Sequence, residues 1–116
     1  MQPVKVGIIG VGGMGKGHVA ALTKLEEADL VAVSDVNEET VNAVAQETGA
    51  KPFVNYEDLI TSGGVESVVI ATPHYFHPPI AEFAASKGVH VLSEKPIAVT
   101  VKSGAQMVQT CKDNNV

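Results

Sequence analysis

The chain has 116 residues, enough for one domain and too few for two, and 45% of them are hydrophobic, enough for a real core. Net charge is −5, and all eight cationic residues are lysine, so there is no electrostatic footprint for nucleic acid or for an anionic membrane surface. A single cysteine, Cys111, excludes an internal disulfide and fits a reducing, cytoplasmic setting. It sits in a helical pattern and reads as structural. The start of the chain, Met1-Gln2-Pro3-Val4-Lys5, lacks the basic stretch and long apolar run of a signal peptide. No apolar run approaches the ~20 residues of a membrane span.

In chain order, short apolar runs alternate with helical periodicity. Val4 to Ile9 predicts a strand that ends in glycines. Gly13 to Leu25 predicts a helix with Val19, Leu22 and Leu25 along one face. Leu30 to Ser34 is a second strand, ending at Asp35. Glu38 to Thr48 is a second helix, with Val41, Val44 and Ala45 on one face and Gly49 as its stop. Phe53-Val54 is a short third strand. Tyr56 to Thr61 is a brief helix, broken by Ser62-Gly63-Gly64. Ser67 to Ala71 is a fourth strand, Pro78 to Ser86 a helix opened by proline, and Val89 to Leu92 a fifth strand. Thr100 caps a last helix that runs through Lys112.

The strands are nearly continuous apolar runs. A parallel sheet covered on both faces requires that pattern. Alternating strands and helices imply right-handed crossovers, hence an α/β doubly wound parallel sheet in the order 3-2-1-4-5. The last helix ends at Asn114-Asn115-Val116, and a doubly wound dinucleotide fold usually adds a sixth strand there. We therefore expect a single dinucleotide-binding domain over residues 1–116 that lacks the last strand and a C-terminal domain. Exposed apolar surface and an open sheet edge would then favour a homo-oligomer.

Gly10-Val11-Gly12-Gly13-Met14-Gly15 matches G-x-G-x-x-G. The pattern alone is weak, but it follows a predicted strand and opens a predicted helix, as a dinucleotide site requires. Gly10 permits the tight turn, Gly12 lets the backbone approach a pyrophosphate, and Gly15 lets the helix pack on the sheet. Backbone N–H groups at the helix N-terminus hold the phosphates without a cationic side chain. Asp35 ends the second strand, 20 residues after Gly15. A carboxylate there accepts hydrogen bonds from the adenosine ribose and repels a 2′-phosphate, and no Arg or Lys follows it. NAD is favoured over NADP on this ground. Asp35 also fits as a turn acid ahead of Asn37-Glu38.

Two later segments end strands on the same ligand edge: Ala71-Thr72-Pro73-His74-Tyr75-Phe76-His77 and Ser93-Glu94-Lys95-Pro96. With the glycine motif, they resemble the glucose–fructose oxidoreductase / inositol dehydrogenase / MocA (GFO/IDH/MocA) family over essentially the whole chain. Glu-Lys-Pro is the most specific part of the likeness. The resemblance implies an N-terminal Rossmann domain and a C-terminal α/β domain on a large open sheet. It implies hydride transfer between NAD(P) and a hydroxyl carbon of a sugar, inositol or related polyol. Lys95 would reach the substrate hydroxyl, and Ala71, Thr72 and Pro73 would line the cofactor. His77 matches a family histidine. Many members have Asn where this chain has His74, so the contact to the nicotinamide ribose differs at that position. An aspartate and a histidine of the C-terminal domain complete the family's catalytic set, so this chain alone would bind cofactor with little turnover.

The residues themselves agree with a functional Lys95, a lysine set directly after an apolar strand and before a proline. Glu94 could pair with it or with the ribose. His77 either caps the helix begun by Pro78-Pro79 or reaches the cofactor. His74 lies on the ligand edge. His18 and His90 read as structural. No metal-ligand spacing is present, and no nucleophile elbow. Two other readings stay open: an NADH-sensing module without catalysis, and a Rossmann scaffold with an empty site.

Overall fold

A computed structural model of the chain describes residues 2–116, apart from the side chain of His74. Five parallel strands alternate with five helices: β1 (Val4–Ile9), α1 (Met14–Leu22), β2 (Ala28–Ser34), α2 (Glu38–Thr48), β3 (Lys51–Phe53), α3 (Tyr56–Ser62), β4 (Ser67–Ile70), α4 (His77–Ser86), β5 (His90–Ser93) and α5 (Val101–Asp113). A 3₁₀ turn, His74–Phe76, leads into α4. The sheet order is β3-β2-β1-β4-β5, as the crossover rule predicts.

Alternation along the strands sends apolar side chains to both faces. Ile9, Ala32, Val68 and Ile70 share one buried cluster with Leu59 and Ile60 of α3 and Ile80, Ala81 and Ala84 of α4. Their neighbours Ile8, Val33 and Val69 share the other with Val19 of α1 and Val41 and Val44 of α2. Ile8, Leu59, Ile70 and Ile80 are among the largest fully buried side chains, each contributing about 1.5–3 kcal/mol relative to exposure. α5 lies against α4, and Met107 is its one buried residue. Among the described residues, no helix is long and apolar enough to cross a membrane.

Several ends differ from the expectation, each for a local reason. α1 stops at Leu22 and not at Leu25, with Thr23 as its C-cap and the Thr23 hydroxyl donating to the Val19 carbonyl at 3.0 Å. Leu25 is half exposed in consequence. β3 starts two residues before its apolar pair and ends one residue before it, since Pro52 is tolerated on an edge strand. β2 starts at Ala28, which pairs with Val4. The remaining ends move by one residue.

Register positions the site. Ile9 stands level with Ser34 and with Ile70, Ser34 with Phe53, and Ile70 with Ser93. The ladder runs one residue further: Gly10 N–H donates to Ser34, Asp35 to Phe53, Ala71 to Ile9 and Glu94 to Ile70, at 2.8–3.2 Å. Gly10, Asp35, Ala71 and Glu94 are thereby set in a row along the carboxyl edge of the sheet.

Candidate functional site

The glycine loop is shaped by two close approaches. Gly10 has φ 90°, and a Cβ on it would stand 3.0 Å from the backbone of Ala71 and Thr72. A Cβ on Gly15 would overlap the Gly10 carbonyl oxygen, with the carbonyl carbon 2.7 Å away. These two positions are set by packing: β1 must turn against β4, and α1 must start directly under that turn. Gly12 differs. Nothing lies within 4 Å of where its Cβ would be, and it faces the cleft.

α1 begins on Gly13, with no side-chain cap and no acid in its first turn. Val11 is fully buried, and its N–H donates to Asp35. Among the described residues, the N–H groups of Gly12, Gly13 and Met14 have no protein acceptor. The Met14 side chain is exposed. Unsatisfied amides and the positive end of the α1 dipole therefore lie together, which suits an anion.

Asp35 does two things. Its Oδ1 accepts the Asn37 N–H at 2.9 Å, which is the turn role that its place ahead of Asn37-Glu38 suggests. Its Oδ2 accepts the Val11 N–H at 3.0 Å, which ties the end of β2 to the glycine loop. A carboxylate oxygen has a second lone pair, so both remain able to accept from a ligand in the cleft.

That cleft has a volume of about 560 Å³, within the range of small-molecule sites. Gly10, Gly12 and Asp35 line one side, and Ala71, Thr72 and Pro73 another. Apolar walls come from Val36, Val54, Phe76 and Ile80, with Tyr56 beside them. Sequence reasoning missed these walls; the available signal was that Val36 and Val54 directly follow strands. Burial, and then a hydrogen bond and charge repulsion from Glu57, push the Tyr56 phenol above its ordinary value. The Thr72 hydroxyl oxygen is buried in the protein without a hydrogen-bond partner. The His74 side chain lies outside what the structure describes.

His77 is buried, 1% exposed. Its Nε2 meets the Thr72 carbonyl at 2.8 Å and its Nδ1 the Pro96 carbonyl at 2.9 Å. It does not cap α4. It is the first helical residue, the cap position is Phe76, and Pro78 and Pro79 have no N–H to be capped. The ring instead joins the threonine-proline segment to the Glu-Lys-Pro segment. Glu94 is bonded to His18 Nε2 from α1, and among the described residues it makes no ion pair with Lys95. Lys95 is exposed, and the Lys95–Pro96 peptide is cis. His18 reads as structural from its helix alone; the contact with Glu94, 76 residues away, has no local signal. His90 is exposed on β5. Among the described residues no three of His, Cys, Asp and Glu are grouped to hold a metal ion.

Open amides, free space over Gly12 and a carboxylate at the end of β2 fit a nicotinamide dinucleotide. Comparison with known proteins agrees. The chain is 35% identical over 108 residues to glucose-6-phosphate 3-dehydrogenase of Bacillus subtilis, covering 93% of this chain and 30% of that protein. It is 39% identical over 108 residues to inositol 2-dehydrogenase 1 of Saccharopolyspora erythraea, covering 90% and 32%. The WlbA dehydrogenase of Bordetella pertussis, solved with NADH and UDP-GlcNAcA, superposes with a TM-score of 0.96 at 35% identity, covering 100% of this chain and 35% of that one. The chain thus spans about a third of the length of the proteins it matches. Residues 4–116 match the GFO/IDH/MocA oxidoreductase family with its NAD-binding Rossmann fold, and the chain belongs to that family.

Proposed function

We propose that this chain is the cofactor-holding portion of a two-domain dehydrogenase that moves a hydride between NAD and a hydroxyl carbon of a sugar, inositol or related polyol. The observation that carries the reading is the meeting, in one cleft, of Gly12 at the approach to the open α1 N-terminus, the Asp35 carboxylate and the Thr72-Pro73 segment. The amides of Gly12, Gly13 and Met14 hold the pyrophosphate, and Asp35 accepts from the adenosine ribose. Gly10, Val11 and Gly15 shape the loop from below. Ala71, Thr72 and Pro73 bound the nicotinamide end, with His74 beside them. When bound, the nicotinamide accepts or supplies the hydride.

Lys95 donates a hydrogen bond to the substrate hydroxyl. An ammonium is no base, so the proton that leaves that hydroxyl goes to a group outside this chain. Glu94 is bonded to His18 of α1, and His77 meets the carbonyls of Thr72 and Pro96. Leu92, Ile97, Val99, Val101 and Val108 present exposed apolar surface on β5, on α5 and between them, where further protein or a second copy would pack.

The test is calorimetric titration of the chain with NADH, followed by nicotinamide absorbance with NAD and a panel of polyols and sugar phosphates. Saturable binding without turnover is expected. Sustained reduction of NAD by this chain alone would contradict the division of labour, and failure to bind NADH would contradict the cofactor role.

A further inference from the structure

Lys95 stands between two residues that are held from behind. On one side, Glu94 is bonded to His18 of α1, with both side chains about a quarter exposed at 23% and 26%. On the other, the Pro96 carbonyl meets His77 Nδ1 at 2.9 Å. Lys95 itself is exposed, and among the described residues its ammonium has no hydrogen bond or ion pair. The adjoining carboxylate, one residue away, is the obvious counter-ion for it, and opposite charges at such range attract. That carboxylate is instead engaged by His18.

We propose that His18 is a positioning residue for Lys95: it draws the Glu94 carboxylate away and leaves the lysine ammonium uncompensated at the ligand edge. His77 fixes the following residue through its carbonyl, so the segment is held on both sides of Lys95. His18 lies three residues past Gly15, on the helix that starts at the glycine loop. One contact therefore links the helix behind the cofactor loop to the segment that carries the substrate-facing lysine. The inference rests on the reading of Lys95 as the group that meets the substrate hydroxyl, but its test does not need cofactor or substrate.

The test is competitive acetylation of the folded chain with trace acetic anhydride. Each lysine's rate is read by mass spectrometry relative to Lys24 and Lys102. An ammonium paired with a carboxylate reacts more slowly. In His18→Ala, Glu94 is released toward Lys95, and the Lys95 rate should fall about threefold, the size of an exposed ion pair. The double variant His18→Ala/Glu94→Gln should restore the original rate, and His18→Gln, which still donates to Glu94, should keep it. An unchanged Lys95 rate in His18→Ala would overturn the proposal. So would an equal fall in the double variant, which would report a displaced loop and not a carboxylate.

Should His18→Ala fail to fold, Glu94→Gln alone decides. An unchanged Lys95 rate supports the proposal, because the carboxylate was already elsewhere. A rise overturns it, because Glu94 was then paired with Lys95 all along. NADH titration of the unmodified chain is read separately. Failure to bind contradicts the cofactor role, whereas the role of His18 stands or falls with the acetylation pattern.

Discussion

The helix that starts at the glycine loop and three of the other four, α2, α3 and α5, are finished differently. α2, α3 and α5 begin on Asn37, Asn55 and Thr100, each in extended backbone, and each side chain accepts the N–H three residues on. α2 and α3 add two acids to the first turn. At each of these ends the cap side chain bonds an orphan amide, and at α2 and α3 the acids offset the dipole. α1 has neither device; α4 also lacks both, but Pro78 and Pro79 leave its first turn with fewer N–H groups to satisfy. A helix start built without cap or acid, beside a carboxylate and a cleft, is one kept open for an anion that comes from outside.

The two outer glycines and Gly12 divide the same way, between packing and opening. The largest effect is expected at Gly15. Gly15→Val drives a side chain into the Gly10 carbonyl, and backbone cannot yield as a flexible side chain would. Urea unfolding should show a loss of about 3 kcal/mol or more. Gly12→Val meets nothing in the protein. Its unfolding midpoint should be unchanged, while NADH binding weakens by roughly a hundredfold, or about 2.7 kcal/mol. If both variants lose stability alike, the distinction between packing and opening fails.

Met14→Glu makes α1 resemble α2, with an acid in its first turn. The exposed position accepts the change, and the helix gains about 0.3–1 kcal/mol. The same charge repels the pyrophosphate, so NADH affinity should drop about tenfold, with stability raised. A variant that binds NADH as well as the original would mean that the α1 N-terminus does not face the phosphates. The smallest effect is the control. Asn37→Ala removes a closed cap and should cost about 1 kcal/mol of stability with NADH affinity unchanged.

What the sequence made legible was local. Gly10, Gly15 and Asp35 stand out because a strand end and a fixed spacing mark them, and the register of β1 and β2 does place Gly10 and Asp35 side by side. The strand order followed from apolar runs and crossover handedness. The end of α1 was hidden because Leu25 continues the helical spacing of Val19 and Leu22 past the point where the helix stops. β3 was shifted because Pro52 argues against a strand unless the strand is at an edge. The roles of His18 and His77 were out of reach for a different reason. Their partners are Glu94, 76 residues off, and carbonyls 5 and 19 residues off, and no periodicity encodes such contacts. Val36 and Phe76 stay exposed in the fold, and they become walls only because the strand ends bring them to one cleft.

The most direct test of the central claim is a pair of calorimetric titrations of the chain, one with NADH and one with NADPH. The open α1 N-terminus predicts saturable binding of NADH, and the Asp35 carboxylate predicts that the 2′-phosphate weakens NADPH by about tenfold or more. Equal affinity for the two would contradict the role given to Asp35. No binding of either would contradict the reading of α1 as a helix held open for a dinucleotide.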